Sequence, residues 1–157
     1  MKDLQDEVLV SLRRIIRATD LHSRKLGKET GLTAPQLVII KAVGSLTEPT
    51  VSDVAKAVSL SLATVTTILN RLETNHLVQR TRSKVDRRQV IVTLTPSGEA
   101  MRLQAPKPLQ DRFVDRFTKL ESWEQHHIVA ALERVATMMD AEDLDAAPLL
   151  LSGESVV

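Results

Sequence analysis

The chain has 157 residues, 43% of them hydrophobic, and a formal net charge of +1, which allows one well-buried core with an appended helical layer. It has no cysteine, excluding disulfides, thiolate metal sites and thiol redox sensing and fitting a cytoplasmic protein; no run nears the roughly 18 apolar residues of a membrane span, and Phe113, Phe117 and Trp123 are too few aromatics for the stacking platform of a single-strand binder. The small net charge hides clustering: five acids and no base stand from Asp140 onward, leaving residues 1–139 at +6, and between Ser61 and Thr95 the bases Arg71, Arg80, Arg82, Lys84, Arg87 and Arg88 face only Glu73 and Asp86.

Leu4, Val8, Leu12, Ile15, Ile16 and Thr19 recur at intervals of three and four, with Arg13, Arg14 and Arg17 opposite, so a long first helix is expected to about Lys25, interrupted by Gly27 and Gly31. Thr33 caps a second helix with Gln36 reaching back, Leu32 and Leu37 at the staple positions, and Leu37, Ile40 and Val43 inward. Pro49 requires that helix to stop before Glu48. Thr50 and Asp53 form a second cap of the same kind, opening a helix of about two turns with Val51, Val54, Ala55 and Val58 on one face. After Ser59-Leu60-Ser61, Ser61 caps a fourth helix with Val65, Ile68, Leu69 and Leu72 inward. Two short helices joined by a tight turn, the second with small polar residues on its free face, are the layout of a helix-turn-helix.

From Leu77 the period falls to two: Leu77 to Arg82 and Gln89 to Thr95 read as strands around Ser83–Arg88, a β-hairpin with a basic tip. Thr95 caps a helix with Pro96 first in it. Pro106 and Pro108 divide that helix near Ala105, and Ser122 to Gln125 is expected to cap a last helix with Ile128, Val129, Leu132, Val135 and Met139 on one face. Residues 141–157 read as an acidic tail that includes the apolar run Leu149–Leu151.

The strings Val51-Ser-Asp-Val-Ala55, Ala63-Thr-Val-Thr66 leading into Asn70-Arg-Leu-Glu73, Leu77-Val-Gln-Arg80, Asp86-Arg-Arg88 and Leu94-Thr-Pro-Ser-Gly98 together resemble the MarR family of winged helix-turn-helix transcription regulators, over roughly residues 5–140. The resemblance implies a mainly α fold with a small β-hairpin wing. Residues 29–99 would form the winged DNA-binding domain, and residues 1–28 with 100–140 a discontinuous helical dimerisation domain. It implies a homodimer on a palindromic double-stranded DNA operator; no cofactor and no membrane partner are expected. A small, often anionic aromatic effector would sit between the dimerisation helices and the winged module. Leu12 to Leu21 and Ala105-Pro-Lys-Pro108 carry a weaker resemblance to the branch that controls compatible-solute (ectoine, glycine betaine) genes.

On this reading Ser61, Ala63, Thr64, Thr66 and Thr67 face base edges and phosphates in the major groove, and Arg71 reaches a phosphate one turn later. Where relatives often carry arginine this chain has Thr67, which removes a long arm from base reading. Arg88 matches the family arginine that enters the minor groove, with Asp86 holding its head and Lys84 and Arg87 on phosphates. The plainer alternatives are a solvated charge cluster on a turn and an Arg71 paired with a neighbouring acid. His22, His76, His126 and His127 read as surface or cap histidines, because adjacent helical histidines point about 100° apart, and His76 as a residue tolerant of left-handed backbone. Trp123 reads as packing at the start of the last helix. The five glycines form no phosphate loop, and there is no nucleophile–base pair or metal set, so no enzyme is expected. The competing class is a winged-helix protein–protein interaction module, which has no reason to carry Asp86-x-Arg88.

Overall fold

The computed structural model describes residues 3–144. The Leu149–Leu151 run and the rest of the expected tail beyond Leu144 lie outside the described residues. The elements are α1 (Leu4–Thr30), α2 (Ala34–Ser45), α3 (Val51–Val58), α4 (Leu62–Thr74), β1 (Val78–Arg82), β2 (Val90–Leu94), α5 (Pro96–Gln104), α6 (Leu109–Phe117) and α7 (Ser122–Met138).

The first helix runs past the expected end at Lys25 and through Gly27. Its last turn buries Leu26, 1% exposed, and this outweighs the modest entropic cost of one helical glycine. It stops at Gly31, whose left-handed backbone (φ 69°) lets its N–H return to the Gly27 carbonyl at 2.8 Å. The caps of α2 and α3 form as the sequence dictates. Thr33 and Gln36 exchange side-chain-to-backbone bonds, and so do Thr50 and Asp53. The Asp53 carboxyl is held below its usual range by the Thr50 hydroxyl and then by the Thr50 N–H.

A core of Leu32, Ile39, Ile40, Val43, Val54, Ala55, Val58, Val65, Leu69, Leu72, Leu77, Val78 and Val92 joins α2, α3, α4 and the hairpin. The hairpin is antiparallel in the register Val78↔Leu94 to Arg82↔Val90. Chain leading into α3 extends the sheet, with a bridge between Thr50 and Ile91 and a bond from the Val92 N–H to the Pro49 carbonyl at 2.8 Å. Helix α5 packs back on α2 and β2, and Met101 reaches the core. Proline breaks the chain where expected, with α5 ending at Gln104 and α6 starting after Pro108.

One cap is displaced. Glu121, not Ser122, precedes α7, and its N–H donates to the Glu124 carboxylate at 3.0 Å. The reciprocal box is made by Glu121 and Glu124, while the Gln125 amide N–H group donates to the carbonyls of Phe117 and Leu120, at 3.2 and 3.0 Å. Trp123, expected to pack at that helix start, is 69% exposed, since nothing among the described residues covers it. Ile15, Ile16, Phe113, Val129, Leu132 and Met138 are also exposed, while Leu12 and Val135 are half-buried. The apolar faces of α1, α6 and α7 are therefore largely open.

His76 does take left-handed backbone (φ 56°) between α4 and β1. An L-residue there costs about 1–2 kcal/mol that glycine does not, partly offset by the greater freedom of glycine in the unfolded chain. His76→Gly should raise the unfolding free energy by about 0.5–1 kcal/mol, seen as a melting midpoint higher by about 1–4 °C. A lower midpoint would mean that the imidazole holds the turn.

Candidate nucleic-acid interface

Helices α3 and α4 turn through 111° across the Ser59–Ser61 break, within the range of a helix-turn-helix. Ser59 makes the turn in left-handed backbone (φ 55°), and the Ser61 hydroxyl accepts from the Thr64 N–H at 3.1 Å. Leu60 lies against the core behind that cap, in the staple position opposite Val65. The first turn of α4 stands clear of the core: Ser61, Leu62 and Ala63 are all exposed, as is Thr67, while Thr64 and Thr66 are half-buried. Leu62, 54% exposed, was not among the residues expected to face DNA. Its spacing from Val65 and Leu69 puts it on the inward face of a regular helix, and only the edge of the core shows that this turn overhangs.

The hydroxyls along this helix are turned inward. Thr66 Oγ1 donates to the Leu62 carbonyl at 2.7 Å, Thr67 Oγ1 to the Ala63 carbonyl at 3.0 Å, and the Ser61 and Thr64 hydroxyls bond each other at 2.7 Å. Further along, Asn70 and Glu73 hold Arg80 of β1. Its guanidinium lies 2.8 Å from both side chains, and its N–H donates to the other Glu73 oxygen at 3.1 Å. One of the six clustered bases is thereby consumed in locking α4 to the hairpin. The paired alternative for Arg71 is not what forms among the described residues. Arg71 is exposed, with no ion pair among the described residues.

The wing tip is built by short polar side chains. Ser83 Oγ accepts from the N–H groups of Val85 and Asp86, both at 3.2 Å, and the Gln89 N–H closes on the Asp86 carbonyl at 2.9 Å. Asp86 was expected to hold the head of Arg88. Instead its Oδ1 accepts from the Arg88 backbone N–H at 3.0 Å, which shapes the tip and leaves the guanidinium unengaged. Two residues of separation suit this side-chain-to-backbone turn better than an ion pair between side chains on one tight bend. Lys84, Arg87 and Arg88 are exposed, and so is Arg82 on the neighbouring strand. The structure thus places Ser61, Ala63, Thr64, Thr66, Thr67 and Arg71 on one helix and Lys84, Asp86, Arg87 and Arg88 on one turn.

The hairpin is anchored from below. The Thr95 hydroxyl donates to the His76 carbonyl at 2.6 Å and accepts from the Gly98 N–H at 3.0 Å, and the Thr95 N–H donates to the Leu77 carbonyl at 3.1 Å. A β-carbon built on Gly98 would lie 1.9 Å from the Leu77 carbonyl oxygen. The Leu94-Thr-Pro-Ser-Gly98 string is therefore a clamp that fixes the hairpin to the end of α4.

The histidines have separate settings. His22 of α1 is half-buried near Ala34 and Val38 of α2 and Leu109 of α6, its Nε2 buried and unpaired. Burial, then Arg112 and Lys25, hold its imidazole below the ordinary histidine range. It is therefore not the surface histidine that the sequence led one to expect, because residues of α2 and of the start of α6 line the cleft it occupies. His126 Nδ1 lies 2.6 Å from the Ser122 carbonyl of its own helix. The cleft beside His22 has a volume of only about 10 Å³, too small in this arrangement for an organic ligand.

A family model described as the MarR family matches residues 32–90, the winged module itself. The transcriptional regulator MgrA of Staphylococcus aureus is 31% identical over 101 residues, covering 64% of this chain and 69% of that protein. The chain belongs to the MarR family. Its architecture is that of MarR-family winged-helix structures. A MepR-like protein complexed with pseudoligands is 25% identical and superposes with a TM-score of 0.57, over 88% of this chain and 97% of that one. FabT of Streptococcus pneumoniae, solved in complex with DNA, shares the fold at 24% identity and a TM-score of 0.53, over 88% and 98% of the two chains. MarR-family regulators act by binding DNA and carry out no catalysis, in keeping with the helix-turn-helix and basic wing described above.

Proposed function

We propose that this MarR-family chain is a homodimeric, sequence-specific repressor on duplex DNA. Its recognition helix α4 lies in the major groove and its wing in the minor groove of an imperfect palindrome. The observation that carries the reading is the distribution of free cations. Arg71, Arg82, Lys84, Arg87 and Arg88 are all exposed on α4 and the hairpin, and none has an ion pair among the described residues. The one clustered base that is paired, Arg80, ties these two elements together. Unpaired cations on two locked elements suit a polyanion that fills both grooves.

The second subunit follows from the open apolar faces of α1, α6 and α7, which a lone chain would leave in water. Residues 1–28 and 100–140 supply this dimerisation layer, although the first turns of α5 pack on the winged module. A two-fold dimer sets its two recognition helices about one helical turn of DNA apart, and seated on both half-sites it would occlude a promoter. The effector site expected between the layers corresponds to the closed cleft beside His22 and would have to open to admit a ligand. The likeness of Leu12–Leu21 and Ala105–Pro108 to the compatible-solute branch extends the reading to osmotic-stress genes, which the genes beside a footprinted operator would test.

The direct test combines sedimentation with salt-dependent binding. A dimer is expected at micromolar concentration, with duplex affinity that falls steeply with salt. Lys84→Ala should weaken specific and random duplex alike and lower the salt slope by about one unit. A stable folded monomer, or a footprint on one asymmetric half-site, would count against the dimeric reading. Salt-insensitive or absent duplex binding would favour a protein–protein module.

A further inference from the structure

The first two turns of α4 have almost no free hydrogen-bond donor with which to read a base. Three of its four hydroxyl protons are committed within the helix: Thr66 and Thr67 donate to the carbonyls of Leu62 and Ala63, and one of the Ser61–Thr64 pair donates to the other while Ser61 also accepts from the Thr64 N–H. A threonine whose oxygen is turned onto the preceding turn has its γ-methyl as the unengaged part. Beside these methyls stand the exposed side chains of Leu62, 54% exposed, and Ala63. The leading surface of the recognition helix is therefore apolar, on an otherwise basic module. In the major groove the one apolar group that distinguishes the bases is the C5-methyl of thymine.

We infer that Leu62, Ala63, Thr66 and Thr67 select the operator by packing against thymine methyl groups, and that Thr66 and Thr67 read no base by donating a hydrogen bond. The inference rests on the reading that α4 enters the major groove and names what it recognises there. It assigns a specificity role to Leu62, which periodicity alone places in the core. It also divides the labour along the helix: the cations at Arg71 and on the wing supply affinity without sequence preference, and the apolar turn supplies the choice of base.

The test begins with selection of bound duplexes from a random pool by the full-length protein. Each thymine of the selected half-site is then replaced singly by deoxyuridine, which removes only the methyl group. Thymines are expected at two or more neighbouring major-groove positions, with an affinity loss of about three- to fivefold for each methyl removed. The protein variants separate methyl from hydroxyl. Thr67→Val keeps a methyl and loses the oxygen, and its uracil penalty at the matching position should persist. Thr67→Ser keeps the oxygen and loses the methyl, and its penalty should vanish. Unchanged affinity on every uracil duplex, or a penalty that survives in Thr67→Ser and disappears in Thr67→Val, would overturn the inference while leaving groove placement intact. A pool that yields no enriched sequence would overturn the reading of the winged module and this inference with it.

Discussion

Gly98→Ala is expected to lower the unfolding free energy by about 2–3 kcal/mol and the melting midpoint by roughly 5–10 °C, and to weaken duplex binding as well. Gly98 is not among the described glycines with positive φ, so the requirement is one of space. The added methyl would meet the Leu77 carbonyl oxygen at 1.9 Å and its carbon at 2.9 Å, a backbone group that no rotamer change can remove. To relieve the clash, α5 must slide away from β1. That movement breaks the bonds of Thr95 to His76 and Leu77 and exposes part of Met101. Because those bonds set the hairpin against the end of α4, the loss should appear in DNA affinity at temperatures where the variant is still folded. Thr95→Val gives the comparison: it removes the hydroxyl without adding bulk against Leu77 and should cost about 1 kcal/mol, the usual value of a helix cap. Thermal melts that place Gly98→Ala within 0.5 kcal/mol of the parent would show that α5 is not clamped as described.

Arg88→Ala should cost about 1–3 kcal/mol in operator binding, roughly five- to 150-fold in affinity, with thermal stability unchanged within about 0.5 kcal/mol. An exposed guanidinium at a hairpin tip contributes nothing to the core, and its value appears only against the negative potential of a narrow minor groove. The loss should therefore be greatest on operators whose flanks are A·T-rich. Asp86 makes the mechanism separable. Its carboxylate holds the Arg88 N–H and not the guanidinium, so the role assigned to it is to shape the tip. Asp86→Ala should then weaken binding as Arg88→Ala does, whereas Asp86→Asn, which keeps an acceptor oxygen at the same place, should not. If the acid acted only by repelling phosphates, both substitutions would tighten binding. Fluorescence anisotropy on one operator duplex at two salt concentrations distinguishes the outcomes, and tighter binding by both variants would remove the tip-shaping role.

Much of this protein was determined by the sequence alone, wherever the deciding interaction spans three or four residues. The caps at Thr33, Thr50, Ser61 and Thr95, the break after Ala105, the change of period at Leu77 and the left-handed residue at His76 all follow from neighbours along the chain. The helix-turn-helix and its wing were legible for that reason. Only the tertiary structure decided what depends on distant partners. Burial of Leu26 accompanies the passage of α1 through Gly27, and Gln125, turned to the carbonyls of Phe117 and Leu120, leaves the cap of α7 to Glu121 and Glu124. Arg80 leaves the free basic cluster because Asn70 and Glu73 reach it from ten and seven residues away. The edge of the core leaves Leu62 in solvent although its spacing matches the buried face, and a backbone oxygen 21 positions earlier reserves position 98 for glycine. Periodicity records which face of an element is apolar; it does not record where the neighbouring element ends, and that boundary decides which side chains are left for DNA.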